Sequence, residues 1–285
     1  MKDGYYSSRW DPDVREQVKS TIINRLNDKN DIDLMIAMGT WAGQDLANNH
    51  HRVSTLVMST TDAVSAGIVE SLEDSGLDHL HAHIDPTRYQ RQLELFHKIV
   101  KFKTLGVIYE DSVAGRSYAA MNIVDKLAER LNFEVKACIA ESDIPDASIA
   151  EQQYLECFKK LAGSVDALYV SVHGGVTDRS IPKLADLAIQ GRIPTFSQSG
   201  AHEVKYGLLM SLSPNAFHHV GIFEAAVIAK IFNGAKPRDL AQVFEEPSLL
   251  AINMKTAEMI GFYENLTADV LASSDVFYQE ITQPE

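Results

Sequence analysis

At 285 residues the chain is long enough for one large domain or two medium ones, because a single apolar core stops growing near roughly 250 to 300 residues. Its apolar (45%) and charged (23%) fractions are ordinary, and no stretch nears the roughly 18 consecutive apolar residues of a membrane helix, which excludes a helical span. Thirty-nine acidic residues against 26 basic ones give a net charge of −13, and no cluster of Lys and Arg forms the footprint a phosphate backbone requires, so no nucleic-acid partner is expected.

The opening Met-Lys-Asp-Gly-Tyr-Tyr has no charged start, apolar stretch and small-residue cleavage site, so no export signal is read there. The first element is a helix: Asp11 is an N-cap with Pro12 at the first helical position, and Val14, Val18, Ile22 and Leu26 recur at helical spacing. With a helix rather than a strand in first place, the chain is expected to start inside its first lobe, with the first strand and any signal peptide upstream of Met1.

Short apolar runs then alternate with amphipathic helices. The runs lie at 34–38, 56–58, 105–109, 133–139, 167–172, 195–196, 208–212 and 250–253. They do not alternate with polar residues and are read as strands buried on both faces in a parallel sheet. Between them run helical stripes: Tyr89, Leu93, Phe96 and Val100; Ala120, Val124, Leu127 and Leu131; Leu155, Phe158 and Leu161; Phe223, Val227 and Ile231. Alternation repeated this often predicts a doubly wound α/β architecture. After Val100 the sequence Lys-Phe-Lys-Thr leads into 105–109, which restarts the pattern as a first strand would, and a lobe boundary is placed there. Cys138 and Cys157 fall on a strand and on the following helix, and spacing alone does not show whether they are bridged. The tail after Phe262 is polar, weakly periodic and assigned no function.

In open parallel sheets ligands sit outside the carboxyl ends of the strands, so the residues that follow each run form the candidate site. They are small and polar almost throughout: Gly39-Thr40-Trp41, Ser59-Thr60-Thr61-Asp62, Glu110-Asp111-Ser112, His173-Gly174-Gly175, Ser197-Gln198-Ser199-Gly200 and Ser213-Pro214. Such groups exchange hydrogen bonds with a polar ligand, and helix N-termini behind them favour an anionic one. Each can equally cap its own helix, but six in succession predict a polar cleft. Arg116 fits either a clamp on a ligand carboxylate or an exposed first-turn arginine.

No phosphate loop with its lysine, no Gly-x-Gly-x-x-Gly, no Gly-x-Ser-x-Gly and no complete His-Glu-x-x-His is present; His202-Glu203 begins the last and Tyr206 ends it. No catalytic residue and no cofactor is assigned. His79, His81 and His83 would share one face of an extended segment, a spacing that suits zinc. No carboxylate cluster completes a shell, and Leu80, Ala82 and Ile84 make an opposite, buried face, so no metal is assigned either.

The runs Asp33-Leu-Met-Ile-Ala-Met-Gly-Thr40 and Ser59-Thr-Thr-Asp-Ala-Val-Ser-Ala-Gly-Ile-Val69 are followed by Asp85 ahead of Gln92-Leu-Glu-Leu95 and by Leu105-Gly-Val-Ile-Tyr109. Val165-Asp-Ala-Leu-Tyr-Val170, Ile193-Pro-Thr-Phe196, Ile231-Phe-Asn-Gly-Ala-Lys-Pro237 and Ala251-Ile-Asn253 complete the series. In order and spacing this set, over about residues 30 to 262, resembles the ABC transporter substrate-binding proteins of the tryptophan/tyrosine type.

The resemblance implies a type I periplasmic-binding-protein fold: two doubly wound parallel-sheet lobes joined by a three-crossing hinge. Lobe one would be 1–103 plus 207–244 and lobe two 104–206 plus 245–285. It implies a receptor rather than an enzyme, a monomer that closes around a small polar ligand, an amino acid or similar small carboxylate. Closure would present a shape to an ABC permease in the periplasm or another extracytoplasmic space, with an upstream membrane tether compatible. Family contacts fall at Gly39 and Thr40, at Thr61 and Asp62, and at Glu110 and Ser112. His173-Gly174 stands where Asp or Asn is common and Ser199 where Asp is common. Those acids are natural partners of an α-ammonium, a role left here to Glu110 or Asp62. A ligand-sensing domain of a signalling or regulatory system is the second reading; an enzyme on a similar scaffold would need His173 near Asp62 or Glu110.

Overall fold

The computed structural model describes residues 4–214 and 218–284. Its first half comprises α1 (Pro12–Asp28), β1 (Leu34–Met38), α2 (Thr40–Leu46), β2 (Ser54–Met58), β3 (Leu80–Ala82), α3 (Arg88–Val100), β4 (Thr104–Tyr109), α4 (Val113–Tyr118), α5 (Met121–Leu131) and β5 (Glu134–Ile139). The rest comprises α6 (Ala147–Ala162), β6 (Ala167–Val170), α7 (Ile181–Gly191), β7 (Thr195–Ser197), α8 (Ala201–Lys205), β8 (Met210–Pro214), α9 (His218–Phe232), β9 (Ser248–Asn253), α10 (Met254–Met259), α11 (Ala268–Ala272) and β10 (Val276–Tyr278).

Two compact units result. The first takes the chain through Pro86, the loop Asp143–Pro145 and the stretch from α9 to Glu246; the second takes Thr87–Ser142, the stretch from Asp146 through β8, and everything from Pro247 on. The expected lobe bounds differ from this division at α3 and β8, both placed in lobe one by the sequence. Leu93 and Phe96 of α3 share a core with Val107 of β4 and Phe196 of β7, and β8 pairs with β7 and β9. The restart at Leu105 is real, but the helix before it covers the sheet that follows. Helix and sheet cannot be parted without exposing that core.

In the first unit Asp11 caps α1 as read, its carboxylate accepting from the amides of Asp13 (2.9 Å) and Val14 (3.3 Å). A parallel sheet runs β1-β2-β3, with Ala37 opposite Val57 and Leu56 opposite His81. On one face Val57, Leu80 and Ala82 pack with Ile22 and Leu26 of α1. On the other, Leu56 meets Val227 and Ile231 of α9. Burial of both faces explains the unalternating apolar run in β2. It fails for β1, an outer strand whose Ile36 and Met38 stay exposed.

The second unit holds a seven-stranded sheet in the order β10-β9-β8-β7-β6-β4-β5, parallel except where β8 meets β9. Successive residues of β4 feed opposite cores: Val107 joins Phe96, Val124 and Phe196, while Ile108 joins Tyr154, Phe158 and Leu184. The chain leaves β4 toward β5 on one side and returns to β6 on the other, so β4 and β6 flank a topological switch point, where such sheets receive ligands. The tail left without a role supplies β10, which pairs with β9 through Val276 and Ala251. Cys138 of β5 and Cys157 of α6 are bridged, with Cα atoms 5.6 Å apart, within the span a disulfide needs. Among the described residues no helix is long and apolar enough to cross a membrane.

Candidate functional site

At the switch point of the second unit, the Glu110 carboxylate accepts from the Ser142 amide at 2.8 Å, and the Ser142 hydroxyl accepts from the Gly174 amide at 2.9 Å. A Cβ on Gly174 would stand 2.2 Å from the Ser142 carbonyl oxygen, so the contact between the loops after β5 and β6 requires glycine there. His173 is buried beside it. Its Nδ1 accepts from the Gly175 amide (2.9 Å), which leaves Nε2–H to donate to the Ala140 carbonyl (3.1 Å). Both nitrogens are thereby taken, and burial holds the ring below the usual histidine range, as the neutral tautomer.

Gln198 is likewise occupied: its amide nitrogen donates to Tyr118 O (2.7 Å) and its oxygen accepts from Val172 N (2.9 Å). Ser112 caps α4, accepting from Gly115 N at 2.9 Å. Arg116 donates to the Tyr109 hydroxyl (3.1 Å) and to Asp125 (3.3 Å), which favours the first-turn arginine over the clamp. Ser199 is exposed and Ser213 buried beside Gly200. In the second unit the loops after β4, β5 and β6 meet, and His173, Gln198, Ser112 and Arg116 hold that frame rather than present free groups. Glu203, behind them, accepts from the Ser197 hydroxyl (2.7 Å), and burial pushes its carboxyl up to about 7.

The first unit's edge is different. Gly39, with φ +90°, turns the chain from β1 into α2, and its amide donates to Met58 O at 2.8 Å. This sets Gly39 and Thr40 beside the loop after β2. In that loop Ser59 holds the left-handed conformation (φ 59°), a strained state for a residue with a Cβ. Thr60 follows with its hydroxyl buried and without a partner. Asp62 accepts from the amide (2.9 Å) and the hydroxyl of Ser65; no helix follows it before β3, so these bonds hold a turn and the helix cap expected after this strand is not formed. Trp41 lies under the guanidinium of Arg15, 4.6 Å from the ring centre.

The histidine row folds as an extended segment, but both its faces are covered. His81 and His83 bond the carbonyls of Ala241 (3.0 Å) and Phe244 (3.2 Å), and the His79 ring lies edge-on to His51 at 4.5 Å. Burial lowers the pKa of His51, His79 and His81. Among the described residues no three His, Cys, Asp or Glu side chains are placed to hold a metal.

Sequence reasoning missed Ser142, Glu203 and the start of α3, where Arg88 sits. β3 is only three residues long and sits among histidines, so nothing in the sequence marks its exit, where Arg88 lies, as a strand end.

Two α/β units on parallel sheets, with polar loops at the carboxyl strand ends, place the chain in the periplasmic-binding-protein class of folds. The profile of the ABC transporter substrate binding protein family matches residues 10–274, and the chain belongs to that family. It is similar to a tyrosine-binding protein of Clostridioides difficile strain R20291, 26% identical over 239 residues, which are 83% of this chain and 65% of the relative. The chain thus spans just under two thirds of that relative's length. Among solved structures it resembles a conserved domain protein from Vibrio cholerae (TM-score 0.75, 20% identity, 94% of this chain and 84% of that one). It also resembles an ABC domain from Streptococcus pneumonia in complex with L-Trp (TM-score 0.71, 23% identity, 92% and 86%).

Proposed function

We propose that the chain is a solute receptor of an ABC importer, binding a small polar solute of the amino-acid or small-carboxylate class and delivering it unchanged to a permease. The observation that carries this is the loop after β2: a strained Ser59 holds Thr60 with its hydroxyl buried and unpartnered. A strained backbone and an unsatisfied hydroxyl each cost about 1 to 3 kcal/mol, and a ligand that accepts the hydrogen bond offsets the second. Gly39, Thr40, Thr61 and Asp62 line the same strand edge, and Glu110, Ser142, Gly174 and Ser199 line that of the second unit.

Family membership supports the role, and the names of the C. difficile and S. pneumonia relatives support the solute class. The Cys138–Cys157 disulfide supports an oxidising, extracytoplasmic location. The lobe arrangement we propose follows the compact units, with boundaries after Pro86, between β8 and α9 and after Glu246, and with the loop Asp143–Pro145 counted in the first unit.

Native mass spectrometry followed by a thermal-shift screen of amino acids, nucleosides and small carboxylates tests the reading. A solute at 100 times its Kd adds about 2.7 kcal/mol of stability by mass action. A panel in which nothing shifts the melting temperature contradicts it.

A further inference from the structure

Six arginines of the chain are partly buried: Arg15, Arg25, Arg88, Arg91, Arg116 and Arg238. Arg15 pairs with Asp45, Arg25 with Asp31, Arg116 with Asp125, and Arg238 with Asp74. Arg91 also has a partner. Arg88 makes no ion pair with an acidic residue among the described residues; its Nε is buried without a hydrogen bond, and its guanidinium lies 5.3 Å from the Tyr89 ring centre. An unpaired, half-buried guanidinium is costly, so its persistence points to a group the chain does not supply.

Its position is fixed by Gln92, one helical turn further along the same face of α3. Gln92 donates to the carbonyls of Gln198 (3.2 Å) and Leu212 (2.7 Å) and accepts from the Tyr169 hydroxyl (2.8 Å). Those contacts pin the helix over the carboxyl ends of β7 and β8, and Arg88, a turn nearer the start of the helix, stands beyond the strand ends of the second unit. The first turn of α3 carries no acidic residue, and the Thr87 N-cap makes no capping hydrogen bond, its hydroxyl also buried and unpartnered. An arginine at the positive end of a helix is unfavourable until an anion arrives.

We infer that Arg88 receives the anionic group of the solute, a carboxylate held by the guanidinium fork with the Thr87 hydroxyl alongside. A single free guanidinium matches one carboxylate, which it can grip with two parallel hydrogen bonds. This rests on the receptor reading and deepens it by naming Arg88 as the residue that holds the solute's carboxylate.

The test is calorimetric titration of wild type, Arg88→Gln, Arg88→Lys and Arg130→Gln with L-tyrosine, L-tryptophan and the carboxamide of each. Arg130 pairs with Glu94 on the helical surface and serves as the control. Wild type binds at least one acid about 10- to 100-fold more tightly than its amide, as a charged hydrogen-bonded pair predicts. Arg88→Gln loses that preference by weakening the acid and sparing the amide, Arg88→Lys is intermediate, and Arg130→Gln is unchanged. Thermal melts check folding, and if Arg88→Gln is unfolded, selective weakening of the acid in Arg88→Lys decides. Equal affinity for acid and amide in wild type, or an undiminished acid affinity in Arg88→Gln, overturns the inference. So does a screen in which only uncharged solutes bind, which leaves the receptor reading standing. If no solute binds at all, both fall.

Discussion

The two strand edges use the same residue types in opposite ways. In the second unit Gln198, His173, Ser142 and Ser112 each have their polar atoms engaged by neighbouring backbone. In the first, Thr60 keeps a buried hydroxyl with no partner on a strained loop. Polar residues after strands are therefore of two kinds, those that hold loops in place and those whose polar atoms the chain leaves unpartnered. The composition of the strand ends does not tell them apart, because a hydrogen bond to backbone and one to a solute demand the same side chains.

That contrast can be broken most forcefully at Gln198. Replacing it with Leu removes the partner of Tyr118 O and of Val172 N, two backbone groups at about 1 to 3 kcal/mol each, and should lower stability by about 2 to 6 kcal/mol in a denaturant melt. A stable Gln198→Leu protein with weakened solute binding would move Gln198 from frame to site.

Glu203 comes next. Burial raises its folded pKa to about 7, above the ordinary 4.5, so the native state holds the extra proton between those values. Its contribution is full below about 4.5 and is lost as pH rises through about 7. Glu203→Gln should therefore be more stable than wild type at pH 8 by about 1 to 3 kcal/mol, and the gain should vanish at pH 4. The buried His51, His79 and His81 act in reverse, since their lowered pKa values make the first unit lose stability as pH falls below 6.5. Melts from pH 8 to pH 5 of His81→Asn against wild type check that sign: the variant should lose less.

Asp62 sharpens the comparison on a smaller scale. Its bonds to Ser65 predict that Asp62→Ala costs about 0.5 to 1.5 kcal/mol of stability as lost turn hydrogen bonds. A drop in solute affinity beyond that would give it both roles. Thr60→Val carries the opposite sign: it removes a buried hydroxyl that has no partner and should raise the stability of the solute-free protein, by at most about 1 to 3 kcal/mol, while weakening solute binding.

The architecture was legible because apolar runs and helical stripes report burial on both sheet faces, as at Val107 and Ile108. The cap at Asp11 was legible for the same local reason. Four features lay beyond that local pattern. β1 looked doubly buried although its outer position leaves Ile36 and Met38 exposed. α3 was assigned by order along the chain, whereas its partners lie in the sheet that follows. Loop contacts such as Glu110 to Ser142 join residues 32 apart, and no local spacing encodes them. Arg88 differs from Arg116 only in lacking a partner, which tertiary structure alone decides.

The receptor reading is tested most directly by titrating the wild-type protein calorimetrically with the solute found by native mass spectrometry, then recovering that solute after prolonged incubation and weighing it by mass spectrometry. Saturable one-to-one binding with the solute returned at unchanged mass is the predicted result. Turnover to a product of different mass, or heat that never saturates, would contradict it.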